Sequence, residues 1–78
     1  MKVAKTIKYK KLTKEYLAGL ISKNVASFTQ AEAARMLGIA QPEVSRIIQR
    51  KLEHISMTKL LSLSELAGFE ITVTINPK

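Results

Sequence analysis

The sequence predicts a mainly α-helical domain in which four short helices are followed by a single strand. Three observations carry this. From Thr13 onward apolar residues recur at spacings of three and four, start and stop residues divide that stretch into four pieces, and after Gly68 the period changes to two. A chain of 78 residues makes one small domain. At that size only about 60–65% of the unfolded surface is buried on folding, so the core is thin.

Residues 1–12, MKVAKTIKYKKL, scatter lysines at 2, 5, 8, 10 and 11 among apolar side chains and show no helical stripe. Val3, Ile7 and Tyr9 favour β-structure, so a short strand around Thr6 to Tyr9 competes with a mobile basic arm; the arm is the expected state. Thr13 is a suitable N-cap for a first helix whose apolar face is Leu17, Leu20, Ile21, Val25 and Phe28. Thr29-Gln30-Ala31-Glu32 fits a capping box, in which hydroxyl and carboxylate satisfy backbone donors reciprocally, and opens a second helix at Gln30. Gly38 ends it at about Leu37 by supplying a left-handed backbone position. A third helix runs from near Gln41 to about Arg50, with Pro42 in its first turn, where a missing amide hydrogen costs nothing. Ser56 caps a fourth, which presents Met57, Leu60, Leu61, Leu63 and Leu66 and stops at Gly68.

Phe69, Ile71, Val73 and Ile75 then alternate with Glu70, Thr72, Thr74 and Asn76 until Pro77 ends the run. One strand with an apolar face and unpaired edges is unstable alone. We therefore expect it to pair antiparallel with its copy about a two-fold axis, which makes Phe69, Ile71, Val73 and Ile75 a dimerisation surface and the molecule an obligate homodimer. Expected boundaries are 1–12 for the basic arm, 13–68 for the helical domain and 69–78 for the dimerisation strand.

Composition narrows the chemistry. Thirteen Lys and Arg against six acids give a net charge of +7, while 46% hydrophobic residues argue for a globular chain rather than a disordered polycation. The partner expected for such a chain is a polyanion. Residues 1–28 carry +6, residues 29–51 carry +2 and residues 52–78 carry −1. With no cysteine, a disulfide scaffold, a thiolate metal site and a cysteine nucleophile are excluded. His54 is the one histidine, expected at the surface, so no metal site is expected and no cofactor either. There is no glycine-rich phosphate loop and no nucleophile paired with a base, and Glu32 and Glu43 both have structural explanations, so no enzyme activity is expected. No apolar run approaches the ~18–20 residues that span a membrane, and the expected location is the cytoplasm.

Residues 30–50 hold the functional signal. Two short helices crossing at about 90–120° through a tight turn form a helix-turn-helix. The crossing needs a small side chain, supplied by Ala34, and the turn needs a residue tolerant of positive φ, supplied by Gly38. Val44 and Ile47 lie three apart to bury the second helix on the first, with Leu37 and Ile39 sealing the corner.

The segment TQAEAARMLGIAQPEVSRIIQRK resembles the helix-turn-helix of the XRE family, the phage Cro and repressor-like regulators. The wider stretch from Thr29 to Pro77, with its short fourth helix and last strand, is similar to the small HigA-like antitoxin regulators of toxin–antitoxin operons. The resemblance covers about two-thirds of the chain and implies a lambda-repressor-like, four-helix domain that binds double-stranded DNA. It makes the third helix the recognition helix, whose N-terminal half, Gln41, Pro42 and Glu43 included, enters the major groove. Gln41 matches the family's base-reading glutamine, suited to adenine, and Arg46 reaches the same groove wall, where a guanidinium best fits guanine. Ser45 lies between them, able to donate to a base edge or a phosphate. Gln30 matches a phosphate-contacting glutamine at a helix N-terminus. Gln49, Arg50 and Lys51 close the helix against the DNA backbone. Glu43 either accepts from cytosine N4 or, as the preferred reading, orients Arg46. Ala40 departs from the usual Ser or Thr cap.

The resulting expectation is a dimeric repressor with its two recognition helices about 34 Å apart on an inverted repeat, in the setting of an autoregulating antitoxin. Two alternatives stay open: an antitoxin whose main role is to neutralise a protein toxin by contact, and a solitary phage-type repressor.

Overall fold

The computed structural model of the chain describes residues 3–75. Lys2 of the expected arm, and Asn76 and Pro77 at the expected strand end, lie outside the described residues. Strand β1 (Val3–Lys8) leads through a short 3-10 turn at Tyr9–Lys11 into α1 (Lys14–Val25). Then come α2 (Gln30–Leu37), α3 (Gln41–Ile48), α4 (Met57–Leu66) and β2 (Phe69–Thr74).

The helix starts follow the capping logic. Thr13 accepts from the Tyr16 amide at 3.0 Å, and Ser56 accepts from the Lys59 amide at 3.0 Å. At Thr29 the box is complete: its hydroxyl accepts from Glu32 N at 3.1 Å, and its own amide donates to Glu32 Oε1 at 2.9 Å. Gly38 sits at φ 69°, ψ 31°, and its amide closes the last turn of α2. A β-carbon at Gly38 meets no neighbour, so the requirement there is conformational rather than steric.

One core unites the elements. Leu17, Ala18 and Ile21 of α1, Leu37 of α2, Val44 and Ile47 of α3, and Leu60 and Leu63 of α4 are buried together, with Leu52 and Ile55 of the α3–α4 link plugging the gap. Ser64 is buried among them and donates to the Leu60 carbonyl at 2.8 Å, which satisfies its hydroxyl within its own helix. α1 packs on α4 and α3, α2 packs on α3, and β2 lies against α4.

The ends of the chain depart from expectation. Residues 3–8 form a strand, not a free arm, and β1 pairs with β2 in parallel, in the register Val3↔Phe69, Lys5↔Ile71, Ile7↔Val73. The expected antiparallel pairing with a copy is thus replaced, along one edge of β2, by an intrachain ladder. The crossover through four helices gives a parallel pair the long connection it needs, and Ile7, at 3% exposure, joins the core. Burial along β2 falls from Phe69, which is buried, through the half-buried Ile71, to Val73 and Ile75 at 37% and 76% exposure.

Three further departures are local. α1 ends at Val25, so Phe28 lies beyond its face and is exposed. Leu66 is exposed while Leu63 is buried, because α4 turns the latter toward β2 and α1. α3 ends at Ile48 rather than near Arg50, because Arg50 adopts φ 62°.

Candidate nucleic-acid interface

α2 and α3 are joined by the three residues Gly38, Ile39 and Ala40. The corner is held by backbone bonds, Ile39 N to Ala34 O at 3.0 Å and Gly38 N to Arg35 O at 3.3 Å. Ala34 is buried where the helices meet, Val44 and Ile47 are each 1% exposed, and Ile39 packs half-buried beside them. With one face of α3 fixed to the core, the other is set outward.

That outward face carries Gln41, Pro42 and Arg46, all exposed, with Ser45 and Glu43 at its margin, half-buried. Ala40 takes an extended N-cap conformation (φ −78°, ψ 151°) but supplies no side-chain acceptor; its carbonyl takes the Glu43 amide at 2.9 Å instead. Pro42 in the first turn has no amide to leave unpaired. Gln30, at the start of α2, is also exposed, as are Gln49 and Lys51 past the end of α3.

Three polar side chains have partners that the sequence did not reveal. Glu43 pairs with Lys59 of α4 at 2.8 Å, which corrects the expectation that it orients Arg46. The pair is partly exposed and of modest energetic weight, but it neutralises the one acid in the first turn of α3. Gln49 Nε2 donates to Ser45 Oγ at 2.8 Å, one turn back, which gives the Ser45 hydroxyl a partner at the end of its own helix. Arg50 turns its Nη1 inward, to within 2.9 Å of Ser22 Oγ on α1 and of the Ile48 carbonyl. Lys59 is the residue that sequence reasoning missed. Its place at the third position of α4 gives no sign of a contact with α3, because the contact joins two helices whose mutual angle no local pattern encodes.

The lysines of the N-terminal segment are displayed by β1 and the following turn. Lys8, Lys10 and Lys11 are exposed, and Lys5 is half-buried opposite Ile71. Lys14 donates to the Leu52 carbonyl at 3.3 Å, tying the start of α1 to the α3–α4 link. His54, in that link, is exposed. Among the described residues no helix is long and apolar enough to cross a membrane.

Two helices meeting at a glycine corner, the second with a buried apolar face and a polar outer one, define the class of the helix-turn-helix proteins, whose fold supports DNA binding. The family comparison agrees: residues 16–76 match the family model described as a helix-turn-helix domain, and the chain belongs to that family. No curated protein and no solved structure shows significant similarity to the chain.

Proposed function

We propose that the protein is a sequence-specific transcriptional repressor that binds an inverted-repeat operator as a homodimer, α3 being its recognition helix. The observation that carries this reading is the display of Gln41 and Arg46 on the outer face of a helix whose inner face, Val44 and Ile47, is locked into the core. Preorganised side chains of these two types suit adenine and guanine edges in the major groove. Gln30, Gln49 and Lys51 flank them as backbone contacts, and Glu43, held by Lys59, is kept from repelling phosphate. The test is selection of duplexes from a randomised library, followed by Arg46→Ala. Loss of about 1–3 kcal/mol on the selected duplex, with a scrambled one unaffected, supports base reading; equal loss on both removes Arg46 from it.

Support for the dimer comes from the second edge of β2. β1 carries lysines at 5 and 8, a device that guards an edge, whereas β2 carries Glu70, Thr72 and Thr74 and has no proline in Phe69–Thr74. A second copy of β2 laid antiparallel there would make a four-stranded sheet and cover Val73 and Ile75. Ile75→Asp changes a residue 76% exposed in the single chain, so it should leave the fold intact and yield a monomer by sedimentation. A variant that still sediments as a dimer overturns the pairing.

The resemblance of Thr29–Pro77 to HigA-like regulators is what favours, as the setting, a type II toxin–antitoxin operon that the repressor regulates itself. Co-expression with the product of the adjacent reading frame tests that setting: relief of growth arrest supports it, and no effect leaves the phage-type repressor. The exposed apolar side chains of Val73 and Ile75, if covered by a protein toxin in place of a second copy, favour a second reading in which toxin neutralisation is the main task.

A further inference from the structure

The end of α3 is built in an unusual way. Lys51 N donates to the Arg46 carbonyl at 2.8 Å and Arg50 N to the Ile47 carbonyl at 3.1 Å, the two backbone bonds of a Schellman motif. The residue that must adopt the left-handed conformation in that motif is ordinarily glycine. Here it is Arg50, at φ 62°. Glycine would make the same backbone bonds without strain, so what arginine adds is its side chain.

The guanidinium is used three ways. Nη1 lies 3.1 Å from the Ile47 carbonyl and 2.9 Å from that of Ile48, capping the end of α3, and 2.9 Å from Ser22 Oγ on α1. Nη2 passes over Gly19, 3.6 Å from where a β-carbon would stand, so α1 offers a small residue where the guanidinium crosses it. A groove of about 540 Å³ opens beside this crossing, with Tyr16, Leu20 and Lys23 on its walls. One side chain therefore bridges the C-terminus of α3 and the middle of α1, in addition to the apolar contact of Ile47 with the core.

We infer that Arg50 is a positioning residue that sets the angle of α3 on α1, and through it the sequence specificity of the protein, rather than a contact to the DNA backbone. The inference rests on the reading of α3 as the recognition helix. A groove-reading helix needs its side chains held to within a fraction of an ångström, and a strut at its far end governs the tilt of the end that reads.

Arg50→Gly tests this without endangering the fold, because glycine suits the left-handed position; Ser22→Ala removes only the acceptor on α1. The probes are a duplex selected from a randomised library by the wild-type protein and a scrambled duplex of the same composition, each titrated over a range of salt. Arg50→Gly is expected to lower affinity for the selected duplex at least tenfold, with affinity for the scrambled duplex and the salt slope retained. Ser22→Ala should move the same way by a smaller factor. Equal loss on both duplexes, with a slope flatter by about 0.9, would make Arg50 a phosphate contact and overturn the inference; so would no change on either. Residual dipolar couplings on the DNA-free protein measure the α1–α3 angle directly. A change in Arg50→Gly supports the strut even if the wild-type protein selects no duplex, the result that would sink the DNA reading alone, and an unchanged angle overturns the strut whatever the DNA result.

Discussion

Ala40 stands where the other α-helices have a hydroxyl. Thr13, Thr29 and Ser56 each accept from an amide in the first turn, whereas α3 starts on a methyl group. The helix that displays Gln41 and Arg46 is thus the least well capped. Ala40→Ser, already in the extended conformation a cap requires, should add about 0.5–2 kcal/mol to stability, read as a higher midpoint in urea. A lower midpoint would show that the hydroxyl cannot reach the Glu43 amide. Glu43 and Lys59 make a second residue-scale case. With side chains 22% and 45% exposed, the pair contributes at most about 1 kcal/mol. Glu43→Gln should change stability little but free an ammonium beside α3, steepening the salt dependence of DNA binding by about 0.9 per phosphate engaged. An unaltered slope would place Lys59 off the DNA.

The helices were legible in the sequence because each is punctuated locally. Thr29 with Glu32, Gly38, Pro42 and Ser56 announce boundaries within one or two turns, and the burial of Ala34, Leu37, Val44 and Ile47 follows from spacing alone. β1 was not legible. On the face that Ile7 shares, Val3 is exposed and Lys5 breaks the apolar period of two; Lys5 opposes Ile71 half-buried, as a residue can whose apolar stem packs while its charge reaches water. Its partner lies at the other end of the sequence, beyond any local pattern. The same reason hid the Glu43–Lys59 pair and the Arg50 bridge, both contacts between elements. Ile7 is the direct test of β1 as an element. Ile7→Ala should cost about 2–4 kcal/mol, a large share of the ~4–12 kcal/mol expected for a chain this short. A mobile arm would lose almost nothing in the same denaturation experiment.

At the scale of the molecule, the Cα extents are 43 × 30 × 16 Å, so the core is about one layer of side chains deep. Every element must then contribute, and β1 with its following turn supplies both Ile7 and a group of lysines, at 5, 8, 10 and 11. Removing the segment to ask whether those lysines meet DNA would remove core as well. Charge can be changed alone: Lys5→Gln, Lys8→Gln, Lys10→Gln and Lys11→Gln together should preserve the unfolding free energy, read from urea denaturation, to within about 1 kcal/mol. If the segment touches phosphates, the salt slope falls by about 0.9 for each phosphate no longer engaged. A slope equal to that of the wild-type protein would assign these lysines to edge protection and solubility.

The parallel ladder between β1 and β2 also sets an order of events during synthesis. β1 is made first, yet the strand that covers it emerges about sixty residues later, an interval of several seconds at the usual ~5–20 residues per second. The helices between them have local start signals and fold on a far shorter timescale. The nascent chain therefore passes through a stage in which Ile7 and a bare strand edge wait for β2, and an element made after the four helices closes one made before them.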